Sequence, residues 1–160
     1  MNLKLIREQL FIFKYQLKNN NMAAKILIIE DDQLLRKIIS RKLKKEKYRA
    51  IEATDGEEGL RSAQLENPDL ILLDLVLPQI DGFEVLARLK KNPNASEIPV
   101  IILSNLGDEE KVEAGLKLGA VDYLIKAQLN PGDIINKIKK VLNKKGRNPA
   151  FVKTLAGKQN

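Results

Sequence analysis

Cysteine and histidine are both missing from this chain, and so is tryptophan. Without cysteine there is no disulfide and no thiolate metal site. Without histidine there is no imidazole general base, no Ser-His or Cys-His couple, and none of the commonest transition-metal ligand. Any chemistry must rest on carboxylates, hydroxyls, amides and lysines. Long apolar runs are missing as well. No stretch nears the roughly 18–20 residues that a bilayer-spanning helix needs. Lys14 interrupts LFIFKYQL after four apolar residues, which excludes a signal-peptide core. A cytoplasmic location is therefore expected.

What remains suits one globular domain with short extensions: 160 residues, 44% hydrophobic and 31% charged. The net charge of +7 resides in the ends. Residues 1–21 carry four basic and one acidic side chain, and residues 137–160 carry eight basic and none acidic. The middle is mildly acidic, with 16 basic against 20 acidic residues. That distribution disfavours a nucleic-acid reader built into the fold.

Between the ends, strand and helix patterns alternate five times. KILII (25–29) predicts a buried strand, and DQLLRKIISRKLKK an amphipathic helix with Asp32 as N-cap and Leu35, Ile38, Ile39 and Leu43 on its apolar face. A strand at 48–52 leads to a helix for which Thr54 and Glu57 have capping-box spacing and Leu60 begins the apolar face. Further strands are expected at 69–73, 98–103 and 120–125, and helices at 83–91, 108–118 and 131–143. Asn92-Pro93 ends the first of these helices. The last has Asn130 as N-cap, Pro131 in its first turn, and Gly146 beyond its end. Four strands are continuous apolar runs, the pattern of a parallel sheet covered on both faces. The fold class is therefore α/β, a doubly wound five-stranded parallel sheet.

In such sheets ligands collect at the carboxyl ends of the strands. Here those ends are Glu30-Asp31-Asp32, Asp74, Ser104-Asn105 and Lys126. Asp74 is a lone carboxylate inside LILLDLVL, and burying it without a partner would cost several kcal/mol or force it to take up a proton. Carboxylates gathered on one edge call for a cation, and Mg²⁺ prefers oxygen ligands. Lys126 supplies further positive charge. A carboxylate can act as a nucleophile towards phosphorus, and phosphoryl transfer needs mainly positioning and electrostatics, so the missing histidine is no handicap.

These segments resemble the receiver domain of response regulators in two-component signalling. KILIIEDDQLLRK is similar to the family's opening acidic motif, PDLILLDLVLPQIDGFEVL to its phosphoacceptor segment, and IPVIILS and GAVDYLIK to its last two strands. The resemblance covers about residues 24–143. It implies a (βα)5 flavodoxin-like fold with strand order 2-1-3-4-5, and Asp74 as phosphoacceptor. Glu30, Asp31, Asp74 and the backbone carbonyl of Val76 would hold Mg²⁺. Ser104 would be the switch hydroxyl, Lys126 the phosphate-binding lysine, and Tyr123 the switch aromatic. Asp32 is read as a helix cap rather than a ligand. The resemblance further implies a sensor histidine kinase or phosphotransfer protein as donor. A downstream protein target would be engaged through the face of the fourth helix, fifth strand and fifth helix of the repeat, and phosphorylation-dependent homodimers are consistent with it. Nucleic acid and membrane are disfavoured as partners. No enzymatic activity is expected beyond its own phosphoryl transfer and autodephosphorylation.

Several residues depart from the family pattern. Ala127 follows Lys126 where the family usually has proline with a cis bond. A cis bond to a non-proline residue costs about 2.5–4 kcal/mol against roughly 0.5–1 for proline, so a trans or strained bond and a shifted path into the last helix are expected. Asn105 stands where the family has a smaller residue, and is expected to narrow access to Asp74 or to offer its amide to phosphate. Val76 and Leu106, two positions past the acceptor and the switch hydroxyl, are apolar, and are read as shielding an acyl phosphate from water. Pro78 and Asp81-Gly82 read as a turn and helix start that shape the loop.

The ends leave alternatives open. Leu3, Ile6, Leu10, Phe13 and Leu17 form a 3-4-3-4 stripe, the mark of a short amphipathic helix for a partner, a dimer seam or a membrane surface. The preferred reading is that translation begins at Met22, so that 1–21 is an upstream stretch, 22–143 the receiver domain and 144–160 a basic, disordered tail without an output module. Three rival functions share the fold class. A pseudo-receiver would work as a phosphorylation-independent protein-binding module. An aspartyl-nucleophile phosphohydrolase would need a second aspartate where Val76 stands. A flavin carrier would need a phosphate loop where EDDQ repels phosphate.

Overall fold

The structure, a computed structural model, describes residues 2–21 and 23–146, with side chains over 2–15 and 23–144. Its elements in order are α1 (Leu3–Asn21), β1 (Lys25–Ile29), α2 (Gln33–Lys45), β2 (Arg49–Ala53), α3 (Gly56–Glu66), β3 (Leu70–Leu73), α4 (Gly82–Lys91), β4 (Val100–Ser104), α5 (Glu109–Lys117), β5 (Asp122–Ile125) and α6 (Pro131–Gly146). The five strands pair in parallel in the order β2-β1-β3-β4-β5.

Strand periodicity divides the core in two. Successive side chains of a strand point to opposite faces. Leu27, Ile29, Ile71, Leu73, Val100 and Ile102 accordingly pack on one face with Ala63 of α3 and with Val85, Leu86 and Leu89 of α4. The alternate residues Ile26, Ile28, Leu70, Leu72, Ile101 and Leu103 meet Ile39 and Leu43 of α2 and Ile134, Ile135 and Ile138 of α6 on the other. Each of these strand side chains is essentially fully buried, contributing about 2 kcal/mol through water-free contact. The continuous apolar runs are thus explained: both faces of β1, β3 and β4 are covered.

Helix starts follow local hydrogen-bonding rules, with one shift from the sequence reading. Asp32 caps α2 by accepting from the Leu35 N–H at 2.9 Å. For α3 the cap is Asp55, which accepts from the Glu58 N–H at 2.8 Å. Glu58 reaches back to both the N–H and the hydroxyl of Thr54. Asp55 therefore takes the cap and Glu58 bonds back to Thr54, in place of the Thr54 and Glu57 pair read from spacing; aspartate at the later position outcompetes threonine for the cap. Asn130 and Asp133 cap α6 reciprocally, and that helix runs through Gly146 instead of stopping before it. Ile38, placed on the apolar face by spacing, is largely exposed while Ile39 is buried.

α1 is a continuous helix of 19 residues. Leu3, Ile6, Leu10 and Phe13 are all exposed, and among the described residues neither core cluster contains one from α1. Among the described residues no helix is long and apolar enough to cross a membrane. The Leu17 side chain, Met22 and the tail from 147 onward lie outside the described residues.

Candidate functional site

The strand order reverses direction between β1 and β3, and the crevice at their carboxyl ends is where this topology gathers ligands. Both ladders run one step past the strands. The Asp74 N–H donates to the Ile29 carbonyl at 3.0 Å, and the Glu30 N–H to the Ala53 carbonyl at 3.1 Å. Glu30 and Asp74 are therefore fixed to the sheet edge and buried, while Asp31 beside them faces solvent. One carboxylate oxygen from each of Glu30, Asp31 and Asp74 lies within 4.8 Å of the others.

Lys126 completes the cluster. Its Nζ stands 2.8 Å from Asp74 Oδ2 and 2.5 Å from Glu30 Oε2. Asp74 Oδ1 accepts the Val76 N–H at 3.2 Å, and Glu30 Oε1 accepts the Asp32 N–H at 3.0 Å. Burial pushes the Glu30 carboxyl above its usual 4.5, and the Asp74 charge adds to this, while the bonds from Lys126 and the Asp32 N–H only partly offset it. For Lys126, burial pulls the other way, but hydrogen bonds and charge from Asp74 and Glu30 prevail and hold the ammonium above its usual 10.5. One ammonium against three carboxylates leaves net negative charge, all in hard oxygen donors and open on the Asp31 side. That donor set fits a divalent ion such as Mg²⁺, which takes one or two carboxylates and keeps waters.

The path of the loop after β5 settles the question that Ala127 raised. Among the described residues there is no cis peptide, and Lys126–Gln128 form a single 3-10 turn that leads towards α6. Lys126 reaches the cluster from this trans backbone.

The β4 end carries the remaining sequence-derived residues. Ser104 is fully buried and its Oγ accepts the Leu106 N–H at 3.3 Å. Tyr123 on β5 is half-buried and donates its hydroxyl to the Leu106 carbonyl. Burial raises its pKa, so the phenol stays a donor. Tyr123 is thus tied to the loop that follows Ser104. Asn105 is exposed, as is Val76, while Leu106 is half-buried.

Arg36 escaped the sequence reading, and Gly82, read there as part of a helix start, does more than begin α4. A Cβ on Gly82 would sit 2.2 Å from the Asp74 carbonyl oxygen and 2.5 Å from Leu75 Cα, so only glycine lets α4 start against the acceptor loop, where its N–H donates to the Leu75 carbonyl at 2.8 Å. Arg36 in α2 donates to the Glu30 carbonyl from a buried position. Residue spacing gives no sign of either contact; both arise between elements.

Comparison with known proteins identifies the family and the fold. The family model of the response regulator receiver domain matches residues 26–139. A probable transcriptional regulator (ycf27) of Cyanophora paradoxa is 37% identical over 136 residues, which is 85% of this chain and 55% of that protein. The alkaline phosphatase synthesis transcriptional regulatory protein PhoP of Bacillus subtilis is 35% identical over 77% of this chain and 50% of its own length. The chain thus spans about half the length of these curated relatives. Among solved structures, a CheY-like response regulator receiver domain protein from Methanospirillum hungatei JF-1 superposes with a TM-score of 0.73 at 29% identity, covering 78% of this chain and 98% of that one.

Proposed function

The chain belongs to the response regulator receiver domain family, and on that premise we propose that it is a phosphoacceptor switch in which Asp74 takes a phosphoryl group from a phosphohistidine on a histidine kinase or phosphotransfer protein. The observation that supports this reading best is the joining of Asp74, Glu30, Asp31 and Lys126 in one pocket at the sheet edge.

Each residue has a role that follows from its position. β3 and the Val76 N–H hold the Asp74 carboxylate in a fixed direction. An Asp74 oxygen attacks phosphorus as the phosphorus–nitrogen bond of the donor breaks. Glu30, Asp31, Asp74 and the Val76 carbonyl would hold Mg²⁺, which when bound neutralises charge on the phosphoryl oxygens. Lys126 already contacts the acceptor carboxylate and would follow the phosphoryl group with its ammonium. Ser104 would turn its hydroxyl towards the same oxygens, drawing on the loop that Tyr123 grips. The readout is then a shift in the populations of the face made by α5, β5 and α6, which selects a protein target or a second copy. In this reading the chain acts on no other substrate and works in the cytoplasm.

The test is mass spectrometry after incubation with Mg²⁺ and a small phosphodonor such as acetyl phosphate, followed by the cognate kinase. One phosphate should be added to the wild type and none to Asp74→Asn. A wild-type chain that takes up no phosphate from either source would favour the pseudo-receiver instead.

A further inference from the structure

Arg36 is a buried cation for which phosphoryl transfer at Asp74 has no direct use. It sits in the first turn of α2 at 7% exposure. Its Nη1 donates to the Glu30 carbonyl oxygen at 2.8 Å and approaches the Asp31 carbonyl oxygen at 3.4 Å. Its Nε donates to Glu52 Oε1 on β2 at 3.2 Å. Glu52 is itself held from α2, by Lys37 Nζ at 3.1 Å and Ser40 Oγ at 3.4 Å.

The two carbonyls belong to the residues whose carboxylates line the acidic pocket. A carbonyl held in place fixes the peptide plane, and with it the direction in which the chain leaves its residue. The Glu30–Asp31 backbone is therefore held at its carbonyls by a guanidinium, while the two carboxylates join Asp74 in the acidic pocket. A planar guanidinium can serve carbonyls with one edge and a carboxylate with another; an ammonium is a point charge and cannot span both.

We propose that Arg36 is a positioning residue of the acidic pocket, holding the Glu30–Asp31 backbone so that both carboxylates stand ready for a divalent cation. The inference rests on the reading that this pocket binds Mg²⁺. It carries a sign that charge alone does not. A cation beside the pocket repels a divalent ion, so if Arg36 acted through its charge, removing it would tighten Mg²⁺ binding. If it acts by holding the backbone, removing it weakens binding.

Calorimetric titration with Mg²⁺ of the full chain, of Arg36→Lys and of Arg36→Gln distinguishes these, with the thermal midpoint of each recorded alongside. Both substitutions should weaken Mg²⁺ affinity by about tenfold, as outer partners of metal ligands do. Phosphate uptake by Arg36→Lys should return close to the wild-type rate once Mg²⁺ saturates. Unchanged affinity in Arg36→Lys, or tighter binding in Arg36→Gln, overturns the proposal even if the midpoint falls, since that is what a purely structural or purely electrostatic residue would give. Should Arg36→Gln fail to fold, Arg36→Lys decides alone. A wild-type chain that binds no Mg²⁺ overturns the metal reading and this inference together, whereas binding by wild type and variants alike overturns the inference only.

Discussion

Lys126 places its ammonium 2.8 Å from the Asp74 carboxylate although the residue that follows it is alanine. The side chain is only 15% exposed and bridges Asp74 to Glu30. Its positive charge makes these two buried carboxylates tolerable.

Replacing Lys126 with methionine should therefore destabilise the metal-free protein by about 1–3 kcal/mol, because buried charged acceptors lose their donor. Mg²⁺ can supply the missing charge. The rise in thermal midpoint on adding Mg²⁺ should consequently be larger for Lys126→Met than for the wild type. Thermal unfolding with and without Mg²⁺ measures both effects; an equal rise in the two proteins would mean that Lys126 and the ion do not share the same carboxylates.

The lifetime of the phosphorylated state should depend on Val76 and Leu106. Val76 is 57% exposed beside the acceptor to which its N–H is bonded, and Leu106 sits on the loop between β4 and α5, where its carbonyl accepts the Tyr123 hydroxyl. Apolar side chains there neither orient nor activate water. Val76→Asn combined with Leu106→Glu should speed loss of phosphate by about tenfold, a barrier change of about 1.4 kcal/mol. Release of inorganic phosphate from the labelled protein gives the rate, and an unchanged rate removes the shielding role.

Much of this architecture was legible because apolar runs and caps are local signals. LILL and VIIL announce strands covered on both faces, and residues at the ends of parallel strands share one edge. That reasoning alone brought Asp74, Asp31, Glu30 and Lys126 together before any distance was known. The misreadings have local causes. Thr54 and Asp55 are adjacent cap candidates one residue apart, and spacing cannot say which wins. Ile38 and Ile39 are both apolar, but one helical step of about 100° separates them, enough to turn one to solvent. Asp81-Gly82 was legible as a helix start, but the close contacts of Gly82 and Arg36 were invisible for another reason. Each acts on a backbone that the fold brings to it, α4 against the Asp74 peptide and α2 against the Glu30 carbonyl. Ala127 shows the converse: its departure from the family pattern pointed to a trans bond, and a 3-10 turn delivers Lys126 to the pocket from that trans backbone.

Acid should reveal the Glu52 network on β2. Partial burial pushes the Glu52 carboxyl upward, but the Lys37 hydrogen bond and charge, with Arg36, outweigh burial and leave it below its ordinary value of 4.5. A carboxyl with a lowered folded pKa stabilises the fold fully above its unfolded value, and that contribution is lost as pH falls through the folded value. Glu52→Gln keeps an acceptor for Arg36 but carries no charge to titrate. At neutral pH it should be less stable than wild type by about 1 kcal/mol, the scale of a partly exposed ion pair. Below about pH 4.5 the gap should close, because the wild type loses the same interaction by protonation. Urea unfolding at a series of pH values measures the difference; a gap that stays constant into acid would show that Glu52 contributes by packing and not by its charge.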